Sequence, residues 1–160
     1  MYEKSTKDYT KNDIKTLYDE DRDIMTYAQN INHQIRSRVE EIIAFSKEAG
    51  YKKIGIAHCI SVTREARRLE EILSESFTVT RVGCKVGLIP KAELIGQGFG
   101  SSCNPILQAE VLNEQKTDLN IVMALCLGHD LLFSKYSLAP ATTLIVKDGR
   151  FNNCPSKELL

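Results

Sequence analysis

Two stretches decide the fold: residues 53–59, KIGIAHC, and residues 119–130, LNIVMALCLGHD. Each is a short apolar run bounded by polar residues, and each ends on a cysteine. Runs of that kind, buried on both faces, are the signature of central strands in a parallel sheet. The first reads as a strand from Lys53 to Cys59, the second as a strand from Leu119 to Cys126. The segment between them supplies what such a sheet needs. Ser61 stands where it can cap a helix whose apolar face is Val62, Ala66, Leu69, Ile72 and Leu73. Residues 77–84, FTVTRVGC, are β-branched and partly alternating, which predicts an edge strand with one wetter face. Residues 85–102 form a long connection rich in glycine, a length usually associated with function or mobility. Asn104-Pro105 then starts a helix, with a capping side chain followed by proline at the first helical position. Gly128-His129-Asp130 opens another helix, and Thr142–Val146 is a fourth strand.

Alternating strands and helices predict an α/β protein: a three-layer, Rossmann-like or flavodoxin-like parallel sheet of about four strands in the order 2-1-3-4, with helices on both faces. Upstream, Ile14, Leu17, Tyr18, Ile24, Met25, Ala28 and Ile31 recur at helical spacing, and Thr10 with Asp13 resembles a capping box. A second helical face follows in Ile35, Val39, Ile42, Ile43 and Ser46, closed by Gly50. Residues 12–49 are therefore expected to be almost wholly helical with a kink near Asn30–Asn32. Residues 1–33 form an amino-terminal helical arm on a single domain of 160 residues. The arm's apolar stripe must be buried either in cis or in a homodimer through these helices.

Composition excludes several classes. Lysine plus arginine equals aspartate plus glutamate, 21 each, so there is no basic excess and nucleic acid is not the expected partner. The longest apolar run, Ile121–Leu127, is too short to span a bilayer, and the polar start is no secretory signal, so a cytoplasmic location without membrane contact is expected. Five cysteines, an odd number with no C-x-x-C pair, exclude a local zinc ribbon and argue against a disulfide framework.

The cysteines become informative once placed on the sheet. Cys59, Cys84 and Cys126 end the first three strands, and Cys103 immediately precedes the Asn104 cap. Parallel strands all end at one edge and crossover helices begin there, so four thiols should meet at the carboxyl edge, where such sheets bind ligands. His58 and His129 map to the same edge, and Cys126 with His129 forms C-x-x-H. Free cysteines often only fill a core, and packing alone accounts for any one of them about as well. Four at one edge point instead to a metal site of Cys59, Cys84, Cys103, Cys126 and His129, with zinc ahead of an iron–sulfur cluster. The competing reading is a thiol-dependent enzyme with Cys103 or Cys84 as nucleophile. A third is a small-ligand or assembly module whose cysteines are structural. No catalytic residue or organic cofactor is specified. Gly96–Gly100 lacks the spacing of a phosphate loop. Asp130 reads as a first-turn charge. Arg64, Arg67 and Arg68 read as a solvated face, His33 as a surface residue, and Cys154 as peripheral.

The stretches RVEEIIAFSKEAGYKKIGIAHCI, CNPILQAEVLN, KTDLNIVMALCLGHDLLFSKYS and APATTLIVKD resemble a prokaryotic family known as domain of unknown function 1847. Its members are often described as predicted metal-binding proteins. The resemblance implies that Cys59, Cys84, Cys103, Cys126 and His129 occupy the family's signature positions. Two departures stand out. The family's usual cysteine-rich amino-terminal segment is replaced by cysteine-free helical sequence. Its His-Asn-Pro near the carboxyl end reads Asn153-Cys154-Pro155 here.

Overall fold

The computed structural model describes residues 9–160, and every side chain among them except that of His33. The surface placement expected for His33 therefore lies outside the described residues. The chain divides into two compact units, residues 1–50 and 51–160.

In the first unit, α1 (Lys11–Thr16) begins with the expected capping box: Thr10 Oγ1 accepts from the Asp13 amide while the Asp13 carboxylate accepts from the Thr10 amide. α2 (Arg22–Asn30) and α3 (Arg38–Glu48) follow. α3 carries a second capping box, Ser37 with Glu40, and ends before Gly50 at φ 70°. Residues 12–49 are less wholly helical than expected, although one break falls at the expected kink near Asn30–Asn32. Turns at 17–21 and a 3-10 turn at His33–Ile35 interrupt the helix, and Asn32 adopts φ 43°. A left-handed residue cannot continue a right-handed helix, and Ser37 and Glu40 restart one by supplying the acceptors its first amides need. Tyr27 and Phe45 pack edge to face across α2 and α3. Ile14, Leu17, Tyr18, Ile24 and Met25 remain exposed.

The second unit is a four-stranded parallel sheet in the order β2-β1-β3-β4, as the alternation of strands and helices predicts. Its strands are β1 (Lys53–His58), β2 (Thr78–Gly83), β3 (Leu119–Met123) and β4 (Ala141–Ile145). The two central strands are buried almost throughout, and the outer two are partly exposed. Between them run α4 (Thr63–Ser74), α5 (Lys91–Ile95), α6 (Pro105–Glu114) and α7 (Leu127–Tyr136).

Side chains on β2 alternate between the layers. Arg81 reaches Glu70 on α4 at 2.7 Å, whereas Val82 enters a core with Ala109 and Leu112 of α6 and Phe133 of α7. Helices therefore cover both faces. β1 and β3 approach closely because Gly55 stands opposite Asn120: a Cβ at Gly55 would lie 2.0 Å from the Asn120 Oδ1. Asn120 is fully buried, accepting from the Thr117 hydroxyl and donating to Ser137 Oγ, each at 2.8 Å.

Three local readings are corrected. The third strand stops at Met123 rather than at Cys126, because Ala124 takes φ 53° and leaves the extended region. Its amide still donates to the Ile145 carbonyl at 2.6 Å, and Cys126 becomes the N-cap of α7. Ser61 does not cap α4. It sits inside a 3-10 turn, Ile60–Val62, that precedes the helix. The long connection 85–102 contains α5 and a bridge between Pro90 and Ser101.

Candidate thiol site at the carboxyl edge

Parallel register brings the first two cysteines together. His58 pairs with Gly83 as the last rung between β1 and β2, so Cys59 and Cys84 follow one step beyond it on neighbouring strands. In a parallel pair, residues at matching positions face the same side. That side is the α6–α7 layer, where Ala57 and Val82 already sit two residues earlier. Cys84 is buried at 3 % exposure in this core, and Cys59 and Cys103 pack against it partly exposed. Cys103 arrives from the other direction. The connection out of β2 folds back so that the Asn104 amide donates to the Cys84 carbonyl at 2.8 Å, and Asn104 Oδ1 caps α6 by accepting from Leu107. Cys59 and Cys103 thus both pack against the core that buries Cys84.

The surroundings separate these thiols electrostatically. Burial pushes Cys84 up to about 11, reinforced by neighbouring Cys103 and Cys59, although the Ile60 amide donates to its Sγ at 3.3 Å. Burial also works against the Cys59 thiolate. There it is outweighed by the Ser61 hydroxyl and amide, the Lys147 ammonium and the Cys84 thiol, and Cys59 falls below the usual thiol value. Lys147 Nζ donates to Ser61 Oγ at 2.9 Å. An ammonium can only donate, so the serine proton is left free to point at sulfur.

Cys126 is exposed at the start of α7, where its carbonyl accepts from the amides of His129 and Asp130 at 2.8 and 2.9 Å. His129 is held below the ordinary imidazole value by burial and by Lys85, whose Nζ donates to the Ser101 carbonyl at 2.7 Å. Burial raises Asp130. Cys154 caps the 3-10 turn Pro155–Leu159, within reach of Ser156 only weakly at 3.6 Å. Among the described residues, no group of three or more histidine, cysteine, aspartate or glutamate side chains is placed so that it could hold a metal ion.

His58 belongs to the opposite layer. It is 2 % exposed, with Nε2 3.0 Å from Arg81 Nη1 and Nδ1 2.9 Å from the Cys59 carbonyl. A guanidinium never accepts, so Nε2 is the acceptor and Nδ1 carries the proton. Burial, then the Arg81 charge, holds this imidazole below its ordinary value and hence neutral. Gln108, fully buried on α6, ties the strand ends by donating to the carbonyls of His58 and Val82 at 3.3 and 2.9 Å. A cavity of about 520 Å³ opens beside β2, lined by His58, Thr63, Arg81, Cys84 and Lys85 among others.

Reading the sequence for cysteine and histidine missed Ser61, Lys147, Lys85 and Gln108. Lys147 was within reach of the same logic, since it follows the fourth parallel strand and so stands at the carboxyl edge. Gln108 carries no sequence signal, because a polar residue on an otherwise apolar helix face reads as a surface position.

A sequence profile of the family described as "Protein of unknown function (DUF1847)" matches residues 1–144. An uncharacterised protein of Methanocaldococcus jannaschii is 47 % identical over 151 residues, covering 89 % of this chain and 78 % of that one. No solved structure matches. Among the described residues, no helix is long and apolar enough to cross a membrane.

Proposed function

The chain belongs to the DUF1847 family of proteins of unknown function, and from that premise we propose that its carboxyl edge binds a soft metal ion through cysteine thiolates, zinc ahead of an iron–sulfur cluster. One observation carries the reading: Cys59, Cys84 and Cys103, each on a different segment, gather at one core, with Cys84 buried in it and the other two packed against it. Their chemistry fits. Zinc prefers tetrahedral sulfur and nitrogen ligands at about 2.3 Å, which puts neighbouring sulfurs about 3.8 Å apart, close to thiol van der Waals contact. The Ile60 amide already donates to one of these sulfurs. Lys147 beside Cys59 offsets the net negative charge of three thiolates around a divalent ion. His129 or Cys126 supplies the fourth ligand by turning inward. Ligand protons must leave for the ion to bind, so occupancy should rise with pH.

The test is metal analysis of full-length protein purified anaerobically without chelator, followed by titration with cobalt. The expected result is about one zinc per chain, and sulfur-to-cobalt charge-transfer absorption that Cys84→Ser removes. Reduced, folded protein that carries no metal and takes up neither zinc nor cobalt overturns the proposal.

A second reading, a thiol-dependent enzyme, is favoured by the chain Cys59–Ser61–Lys147. Within it Cys59 is the activated nucleophile. Cys84, pushed up to about 11, is almost wholly protonated near neutrality and poorly suited to attack. Cys59→Ser removing the fastest-reacting thiol toward iodoacetamide at neutral pH supports this assignment; an unchanged fastest phase opposes it.

A further inference from the structure

We propose that Cys59 and Cys84 form a reversible disulfide that exchanges with low-molecular-weight disulfides, and that the exchange enters at Cys59. The proposal goes beyond metal binding and does not depend on it. It rests on register and burial. His58 and Gly83 are the last pair across β1 and β2, so Cys59 and Cys84 leave the two strands side by side, immediately past that rung. Adjacent strands run about 4.8 Å apart, inside the Cα separation of about 4.4–6.8 Å that a disulfide spans. The Cys84 sulfur already lies beside this segment, accepting from the amide of Ile60, the residue after Cys59, at 3.3 Å.

Access differs between them. Cys59 is partly exposed, next to Ile60 at 64 % exposure, whereas Cys84 is buried in the core with Val82, Leu112 and Phe133. Cys59 is the more accessible of the two to an external disulfide. Lys147, held 2.9 Å from Ser61 Oγ, brings a positive charge near Cys59. Cys103 also packs against the core that holds Cys84. It reaches that contact from a returning loop rather than from a neighbouring strand, so no ladder rung sets its Cα at bridging distance.

The chemistry balances in two steps. The Cys59 thiolate attacks one sulfur of R–S–S–R. That bond breaks, a Cys59–S–S–R mixed disulfide forms, and R–S⁻ leaves, taking up the proton Cys59 released. Cys84 then loses its proton and attacks the Cys59 sulfur, and the second R–S⁻ leaves with that proton. The chain loses two electrons and two protons, and the small disulfide is reduced to two thiols. Where a metal is bound to the same thiolates, this bond removes two of its ligands, so oxidation and metal loading exclude one another.

The test uses the reduced full chain, with chelator present throughout, exposed to oxidised glutathione, quenched by alkylation and mapped by peptide mass. The expected product is one Cys59–Cys84 link, reversed by excess reduced glutathione. Cys103→Ser should leave it intact, and Cys84→Ser should halt at a glutathione adduct on Cys59. A link joining Cys84 to Cys103, first adduct formation at a cysteine other than Cys59, or no intramolecular link in the wild-type chain overturns the proposal. The wild-type map decides even if a variant fails to fold. Zinc measured separately on protein isolated without chelator tests the metal reading, so either idea can fail alone.

Discussion

Replacing Gly55 by alanine tests the packing that holds the site's two central strands together. The added methyl would lie 2.0 Å from Asn120 Oδ1 and 2.8 Å from Leu112 Cδ1. Neither neighbour can yield freely. Leu112 is fully buried, and Asn120 is fixed by hydrogen bonds of 2.8 Å to Thr117 and to Ser137. Turning Asn120 away forfeits both bonds, at about 1 kcal/mol net each and more where a buried partner is left unpaired. Overpacking adds about 1–3 kcal/mol. The sum is a destabilisation of about 3–5 kcal/mol, a large share of the roughly 5–15 kcal/mol typical of a domain. For a chain of this size that lowers Tm by about 6–20 °C. Urea unfolding followed by circular dichroism measures it. The shorter Asn120→Ser side chain should relieve the clash, so Gly55→Ala/Asn120→Ser should be less destabilised than the two single changes summed, by at least about 1 kcal/mol. A Gly55→Ala protein within about 1 kcal/mol of wild type, or strict additivity in the pair, would refute the reasoning.

Other expectations follow from the charges around the thiols. Lys147→Ala removes a cation that lowers Cys59 and frees Ser61, so the Cys59 thiol should rise and its alkylation near pH 7 slow several-fold, with the difference vanishing at strongly alkaline pH. Equal rates at neutral pH would show that Lys147 does not act on Cys59. His58 is lowered in the folded protein relative to 6.5, so the unfolded chain binds the extra proton first. Its contribution is fully present above about pH 6.5 and is lost as pH falls through 6.5 toward the lower folded value. Chemical unfolding between pH 5 and 7.5 should show stability falling with acid, and the slope should flatten in His58→Gln. Nitrogen NMR should find His58 neutral at pH 7 with the proton on Nδ1; an imidazolium signal there would contradict the Arg81 contact.

The sequence by itself determined the sheet, because a buried parallel strand must be apolar on both faces and a helix on one, and those two periods differ. KIGIAHC and LNIVM could be nothing but central strands once helical segments separated them. Strand order followed, and so did the edge to which the cysteines go, since parallel strands end together. What only the tertiary structure decided lies at distances of one or two residues. Ala124 turning left-handed moved Cys126 out of the strand and onto a helix cap, where its sulfur faces outward. That turn is fixed by the Ala124 amide meeting the Ile145 carbonyl on a neighbouring strand, a partner local sequence cannot name. The same holds for Cys59 and Cys84: both were legible as strand ends, but which is buried, and which receives Ser61 and Lys147, depends on groups 25 and 88 positions from Cys59 in the chain. Periodicity reports the face on which a side chain lies. Its proton affinity and its access to solvent are set by whatever other segments bring to that face.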